Sequence, residues 1–205
     1  NQAVSGLNFV TLRFITPSPG IWTIRVYGYS VLSGGFNMWI NNREFLWSDT
    51  YFLQPDPYNT ITDPGNTDVP TTVGAYNYRD GSVYIGSGRG TAAYYDYKPD
   101  IVAPGTNIVS CYPMPFKNQP STALLRKTMQ DAPDYYNGAA YIARSGTSMA
   151  TPIVCGAAAL LLEKNPFLTN KEIKLALRNS AKNLGYPHAR QGWGLLQCNT
   201  LLSYR

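Results

Sequence analysis

Histidine is almost missing from this chain: His188 stands alone among 205 residues. Most hydrolytic mechanisms lean on an imidazole base, so chemistry of that kind has a single candidate here. Cysteine is scarce as well. Cys111, Cys155 and Cys198 are odd in number and far apart, which is neither a disulfide framework nor a zinc pattern. Cys155 lies in a small-residue apolar run and reads as a buried thiol. Charge is low: 14% of residues, against an average of about 25%. The 17 basic and 12 acidic residues leave a net +5. Lys171, Lys174, Arg178 and Lys182 come nearest to a basic stripe and read as a solvated helix face, so no nucleic-acid partner is expected. No apolar run approaches the roughly 18 residues a membrane span needs. The opening NQAVSGLNFV has no basic run ahead of an apolar stretch, as a signal peptide would, and no initiator Met. It reads as a fragment or a processed chain.

What the chain does contain points to strands and shaped loops. The apolar fraction of 44% is ordinary for a globular protein and argues against global disorder. Tyrosine reaches 16, glycine 18 and proline 15. Residues 1–62 read as all-β. LNFVTLRFI (7–15) and GIWTIRVYG (20–28) alternate apolar and polar positions around a Pro/Gly turn, GGFNMWI (34–40) follows, and FLWSDTYFL (45–53) is apolar but less regular. Three or four strands leave edges that need partners, so this segment reads as half of a β-sandwich.

The character changes near residue 63. TDPGNTDVP (62–70) is a turn-rich linker. TTVGAYN (71–77), SVYIGSG (82–88), the Ile101-Val102-Ala103 core of KPDIVAPG (98–105) and NIVSCY (107–112) read as strands. Residues 113–140 are a functional loop, an insertion, or a segment with a short helix near 121–130. IVCGAAALLLEKN (153–165) is apolar almost all round and predicts a central buried helix, with Pro152 in its first turn. Thr169-Asn170-Lys171-Glu172 opens a second helix over 169–183 with a capping box. GYPHARQGWG (185–194) reads as a loop and LLQCNTLL (195–202) as a short closing helix.

Chemistry concentrates in Ser145-Gly146-Thr147-Ser148-Met149-Ala150-Thr151-Pro152. Ser148 sits among small residues just before a helix. The free N–H groups of a helix start favour negative charge at the serine oxygen. The Ser148 N–H can itself donate to the oxyanion of a tetrahedral intermediate. Gly146 and Ala150 leave room for a substrate carbonyl, with Thr147 and Met149 on either side of the serine. The competing role for Ser148 is a plain helix cap.

This octapeptide resembles the nucleophile motif of the subtilisin-like serine proteases (subtilases, peptidase family S8), Gly-Thr-Ser-Met-Ala-Ser/Thr-Pro. Three companions fall in the family's order. TTVGAYN resembles its Val-Gly-Ala strand, KPDIVAPG the strand and turn before the nucleophile, and Gly192-Trp193-Gly194 the Gly-x-Gly after the last long helix. The resemblance covers about residues 63–205. SGRG (87–90), running on to KPDIVAPG, resembles the clostridial branch related to the Csp spore-germination proteases, in which a jelly-roll domain interrupts the catalytic domain. On that resemblance, residues 1–62 are the second half of the jelly-roll insert. Residues 63–205 are the C-terminal part of an α/β three-layer catalytic domain, with a mostly parallel sheet and helices on both faces.

The resemblance makes Ser148 the nucleophile and its N–H one oxyanion donor, with Gly146, Thr147 and Met149 as the substrate and oxyanion neighbourhood. The family's Asp, His and oxyanion Asn lie upstream of the matched region and cannot be placed on this chain. Without a base Ser148 is an ordinary alcohol, so the chain alone is expected to be inactive. The complete protein would be a serine endopeptidase working through an acyl-enzyme. Its partners would be a peptide or protein substrate and an upstream chain or segment carrying Asp and His. No cofactor is implied. The family often uses structural calcium, yet no Asp/Glu-rich loop with ligand spacing occurs here. An extracytoplasmic location, secreted or spore-associated, goes with the family.

The alternative is a pseudoprotease acting as a binding or regulatory protein. A carbohydrate-binding role for residues 1–62 rests on Trp22, Trp39 and Trp47, for which core packing is the better account. His188 follows Ser148 by forty residues, out of the family's order, and reads as a surface loop residue. Asp100 reads as structural. Arg89 is either a cleft residue or a turn residue.

Overall fold

Ile101-Val102-Ala103 forms the middle of the fold because this run can be buried on both faces. All three residues are fully buried. In the computed structural model, which describes residues 10–31, 34–40, 50–90, 98–111, 135–136 and 141–203, they belong to strand β2 (Ile101–Pro104). Strand β1 (Val73–Tyr76) pairs with β2 in parallel, Val73 opposite Ile101. The other edge of β2 bonds the chain near Leu195: the Val102 N–H donates to Gly194 O and the Leu196 N–H to Val102 O, both at 2.9 Å. A second sheet is antiparallel. Its order is β3 (Ile108–Cys111), β5 (Tyr141–Arg144), β4 (Tyr135–Tyr136).

Parallel pairing requires a crossover, and the helices supply the apolar cover. Helix α1 (Thr147–Lys164) buries Ala150, Val154, Ala157 and Leu161. These residues share one core with Val73, Ala75, Ile101 and Ala103 of the strands. Helix α2 (Asn170–Ser180) adds Ala176 and Leu177, and helix α4 (Cys198–Leu202) adds Leu201. Between them His188–Gln191 forms the one-turn helix α3. The α2 capping box forms as expected: the Thr169 N–H donates to Glu172 Oε2 at 2.7 Å, and the Glu172 N–H to Thr169 Oγ1 at 3.4 Å.

Several expectations need correction. Helix α1 begins at Thr147, so Pro152 lies in its second turn rather than its first. Among the described residues only one side of α1 is covered. Cys155, expected buried, is exposed, and a Cβ on Gly156 would meet nothing within 4 Å. An apolar composition all round a helix does not say which face has a partner. SVYIGSG gives a single bridge at Val83 followed by a turn, because the Ser87 hydroxyl takes the Ala75 N–H that a ladder would use. The predicted loop 185–194 contains α3, and the closing helix is confined to α4 because Leu195 bridges β2. Strand β5 carries no strong local pattern and is defined by its pairing with β3. The expected helix near 121–130 lies outside the described residues. The helices α1, α2 and α4 pack into the one core cluster; the expected second helical layer is not among the described residues.

The chain divides into two compact units, Asn1–Pro55 and Asp56–Arg205. Residues 56–62 group with the second unit, where Thr60 and Arg89 exchange hydrogen bonds. The described residues of the first unit contain no strand. The alternation is there, but a strand exists only where another edge accepts its hydrogen bonds. Ile15, Ile21 and Val26 are exposed, and so are Trp22 and Trp39, for which packing was expected. Trp47 lies outside the described residues.

One polar cluster holds the N-terminal end of the parallel sheet. Lys98 is 1% exposed and Asp100 7%. Asp100 Oδ2 accepts from Lys98 Nζ at 2.8 Å and from the Thr72 N–H at 2.7 Å, while Oδ1 faces Lys174 Nζ of α2 at 3.0 Å. Lys98 also donates to Pro70 O and Thr72 Oγ1. Burial lowers the pKa of the Lys98 ammonium, and the Asp100 carboxylate opposes that shift. Asp100 thus joins β1, β2 and α2, which agrees with its structural reading.

Asp100→Ala leaves Lys98 buried without its counter-charge and should cost about 3 kcal/mol in urea denaturation. Adding Lys98→Met should recover part of that loss. The Glu172 carboxylate is held below the ordinary glutamate range by the backbone N–H and then the hydroxyl of Thr169. Its contribution to stability is complete above the unfolded pKa and disappears as pH falls through the lower folded value. An NMR titration should place the Glu172 midpoint below that of an unstructured glutamate, and Thr169→Ala should raise it.

Candidate active site

The start of α1 is positioned from β2. Where the strand ends at Pro104, the Gly105 N–H continues the ladder to Tyr76 O at 3.0 Å, and Gly105 O receives the Gly146 N–H at 2.7 Å. A side chain at Gly105 has no room: its Cβ would stand 2.5 Å from Ala75 Cβ, 2.9 Å from Gly146 O and 3.3 Å from Ala150 Cβ. The Ser145 hydroxyl accepts the Asn107 N–H at 2.9 Å, tying the approach to α1 to the turn before β3.

Gly146 is the N-cap, with φ 153° and ψ 167°. That conformation is essentially reserved for glycine. No side chain caps the helix, so the expected alternative role for Ser148 does not apply. Ser148 is instead the second helical residue. Its side chain is exposed, Thr147 and Met149 are half-buried, and Ala150 is fully buried. The Met149 N–H bonds Gly146 O at 3.1 Å. Helix geometry gives the Ser148 N–H no intrahelical acceptor. The first turn carries no acidic residue, so the partial positive charge of the helix start is unopposed within the helix. Pro152 has no N–H, so the Ser148 carbonyl lacks its usual helical donor. The Thr151 hydroxyl serves the preceding carbonyl, Thr147 O, at 2.9 Å.

Gly146, Thr147, Ser148 and Met149 are therefore gathered at one helix start beside the C-terminal end of β2. The other singled-out residues lie elsewhere. The Trp193 N–H donates to Asp100 O at 2.9 Å, and the His188 ring meets Trp193 edge-on at 4.3 Å. His188 thus belongs to the N-terminal end of β2, and the five residue steps from Asp100 to Gly105 span about 16 Å of strand. It is half-buried rather than a surface loop residue. Burial and then the nearby Arg178 lower its pKa and favour the neutral ring. Arg89 stands over the Tyr58 ring at 5.9 Å. Among the described residues no cluster of three or more His, Cys, Asp or Glu could hold a metal, and no helix is long and apolar enough to cross a membrane.

A parallel α/β core that presents a serine at a bare helix start is a scaffold suited to acyl-transfer chemistry. The comparisons with known proteins narrow that class. The sequence profile of the Subtilase family matches residues 41–194. The serine protease AprX of Bacillus subtilis (strain 168) is 40% identical over 128 residues, which cover 58% of this chain and 26% of AprX. The minor extracellular protease Vpr of the same strain is 37% identical over 103 residues, covering 47% of this chain and 10% of Vpr. The solved structure of the Clostridium perfringens CspB protease superposes with a TM-score of 0.57 at 32% identity, covering 75% of this chain and 30% of that one. The chain belongs to the subtilase family of subtilisin-like serine proteases, and its fold is a partial subtilisin-like fold. It spans no more than about a third of the length of these relatives.

Gly146→Ala forces an unfavourable backbone conformation at the helix start and should cost about 1–3 kcal/mol in equilibrium unfolding. Ser148→Ala, at an exposed position, should change stability by less than about 0.5 kcal/mol. Equal losses in the two variants would contradict this account of the helix start.

Proposed function

We propose that Ser148 is the nucleophile of a serine endopeptidase that cleaves peptide bonds through an acyl-enzyme. The observation that carries this reading is the exposed Ser148 side chain on an uncapped, unopposed helix start inside the family's nucleophile motif. In the proposed reaction the Ser148 oxygen attacks the scissile carbonyl and its proton passes to a general base. The amine then leaves with that proton, and water releases the acyl group. The Ser148 N–H donates to the oxyanion, and Gly146, Thr147 and Met149 border the substrate carbonyl.

The base is supplied by an upstream chain or segment that brings the family's Asp, His and oxyanion Asn, and this chain alone is inactive. Two observations support that division. His188 stands at the far end of β2 from Ser148. The outer face of α1 also lacks cover. At about 100° per residue, Ser148, Pro152, Cys155 and Ala159 fall within an arc of about 60°. All four are exposed, on the side opposite the buried Ala150, Val154, Ala157 and Leu161. A segment packed on this small, apolar stripe reaches Ser148 by the same contact. Residues 1–62 act as the second half of a jelly-roll insert whose remaining strands complete their ladders, and residues 63–205 as the C-terminal part of the catalytic domain. The substrate is a peptide or protein, and the location is extracytoplasmic, secreted or spore-associated, in keeping with a relative named as extracellular.

The test is fluorophosphonate labelling read by intact mass, with Ser148→Ala as control. The isolated 205-residue chain should not label. The chain joined with the upstream part should label stoichiometrically and only at Ser148. Failure of the joined protein to label would replace this reading with that of a pseudoprotease.

A further inference from the structure

Along the basic stripe Lys171, Arg178 and Lys182 are exposed, as the spacing suggests, while Lys174 of α2 is half-buried against Asp100. Lys171, Lys174 and Arg178 follow one another at i, i+3 and i+7, so they share one side of the helix. That side borders a half-open recess of about 230 Å³ against the start of β2. The apolar wall is made by Ile101, Leu175 and the ring of Trp193. The Arg178 guanidinium lies over that ring at 3.6 Å, which fixes its plane while leaving its N–H edges for other acceptors.

The charges around this cavity do not balance. Asp100 is its one acidic lining residue, and its carboxylate is already occupied by Lys98, Lys174 and the Thr72 N–H. Lys171 and Arg178 form no ion pair among the described residues. Two exposed cations therefore border the recess, and its one carboxylate is already engaged. A neutral ligand would gain nothing from those cations, and a bare inorganic anion would gain nothing from the apolar lining.

We propose that this cavity is a binding site for a small amphiphilic anion, a carboxylate or phosphate carried on a compact aromatic or aliphatic body. Lys171 and Arg178 take the anionic head, Arg178 with paired N–H donors. Trp193 and Leu175 take the apolar body. The volume lies at the small end of ligand sites and fits a fragment-sized molecule. The site sits at the opposite end of β2 from Ser148, so it does not depend on the nucleophile reading.

The probe is phenyl phosphate, followed by the indole N–H resonance of Trp193 and assigned with Trp193→Phe. Phenyl phosphate should shift that resonance saturably, and inorganic phosphate and benzyl alcohol should each bind at least about tenfold more weakly. Arg178→Gln should weaken binding by about tenfold or more. Lys171→Gln, at an exposed position outside the core, should weaken it in the same direction with folding unchanged, and high salt should compete. Absence of a saturable shift would overturn the proposal. So would equal binding of benzyl alcohol, or affinity unchanged in both variants.

Discussion

Strand β2 is the constraint on which the rest of the core depends, because β1, the chain at Leu195, the start of α1 and the Asp100 cluster are each bonded to one of its edges or ends. Its edges pair with β1 and with the chain at Leu195, and its buried run Ile101-Val102-Ala103 lies at the centre of the core. Its C-terminal end carries Gly105, whose carbonyl takes the Gly146 N–H and so places the first residue of α1. Its N-terminal end carries Asp100, which ties two lysines and the start of β1 together. A buried carboxylate with a full set of partners is tolerated; the same group with a partner removed is not. The geometry around Ser148 and the charged cavity beside α2 thus sit on one short strand, at opposite ends.

The two ends differ in how complete they are. At the Asp100 end the carboxylate has its full set of partners within the chain. At the Ser148 end the helix start is bare and the outer stripe of α1 is exposed, although its residues are small and apolar. A helix buried on one side and apolar on the other is suited to a second packing partner. The stripe and the serine point the same way, so a single docking contact would remove apolar surface from water and enclose the reacting atoms in a low-dielectric site. Burial and catalysis would then be one event rather than two.

How much of this was legible in the sequence follows from the range of each interaction. The octapeptide around Ser148 and the Thr169–Glu172 box are contiguous, and both could be read as local rules. Val73–Tyr76 and Ile101–Pro104 were legible as short apolar runs between turn residues. The fate of Cys155 was not, because composition shows that α1 is apolar but not which side has a neighbour. Lys174 looked solvated because its partner Asp100 is 74 residues away. Pro152 was placed in the first turn because the helix start was read from the apolar run, whereas the hydrogen bond from Gly146 to Gly105 sets it five residues earlier. The alternation in residues 1–40 reads as strands, yet the described residues of that segment form none, because a pattern cannot provide the edge that turns it into a ladder.

The central claim is that covering the outer stripe of α1 and activating Ser148 are the same event. Cys155 lies in the middle of that stripe and reports on it directly. The decisive measurement is native-state alkylation of Cys155 by a maleimide, resolved from Cys111 and Cys198 by peptide mapping, in protein whose Ser148 reacts stoichiometrically with a fluorophosphonate. The account predicts that Cys155 is protected there, becomes reactive on unfolding, and is freely reactive in the 205-residue chain alone. Rapid alkylation of Cys155 in fully Ser148-reactive protein would contradict it, because the serine would then be active while the stripe stays open to solvent.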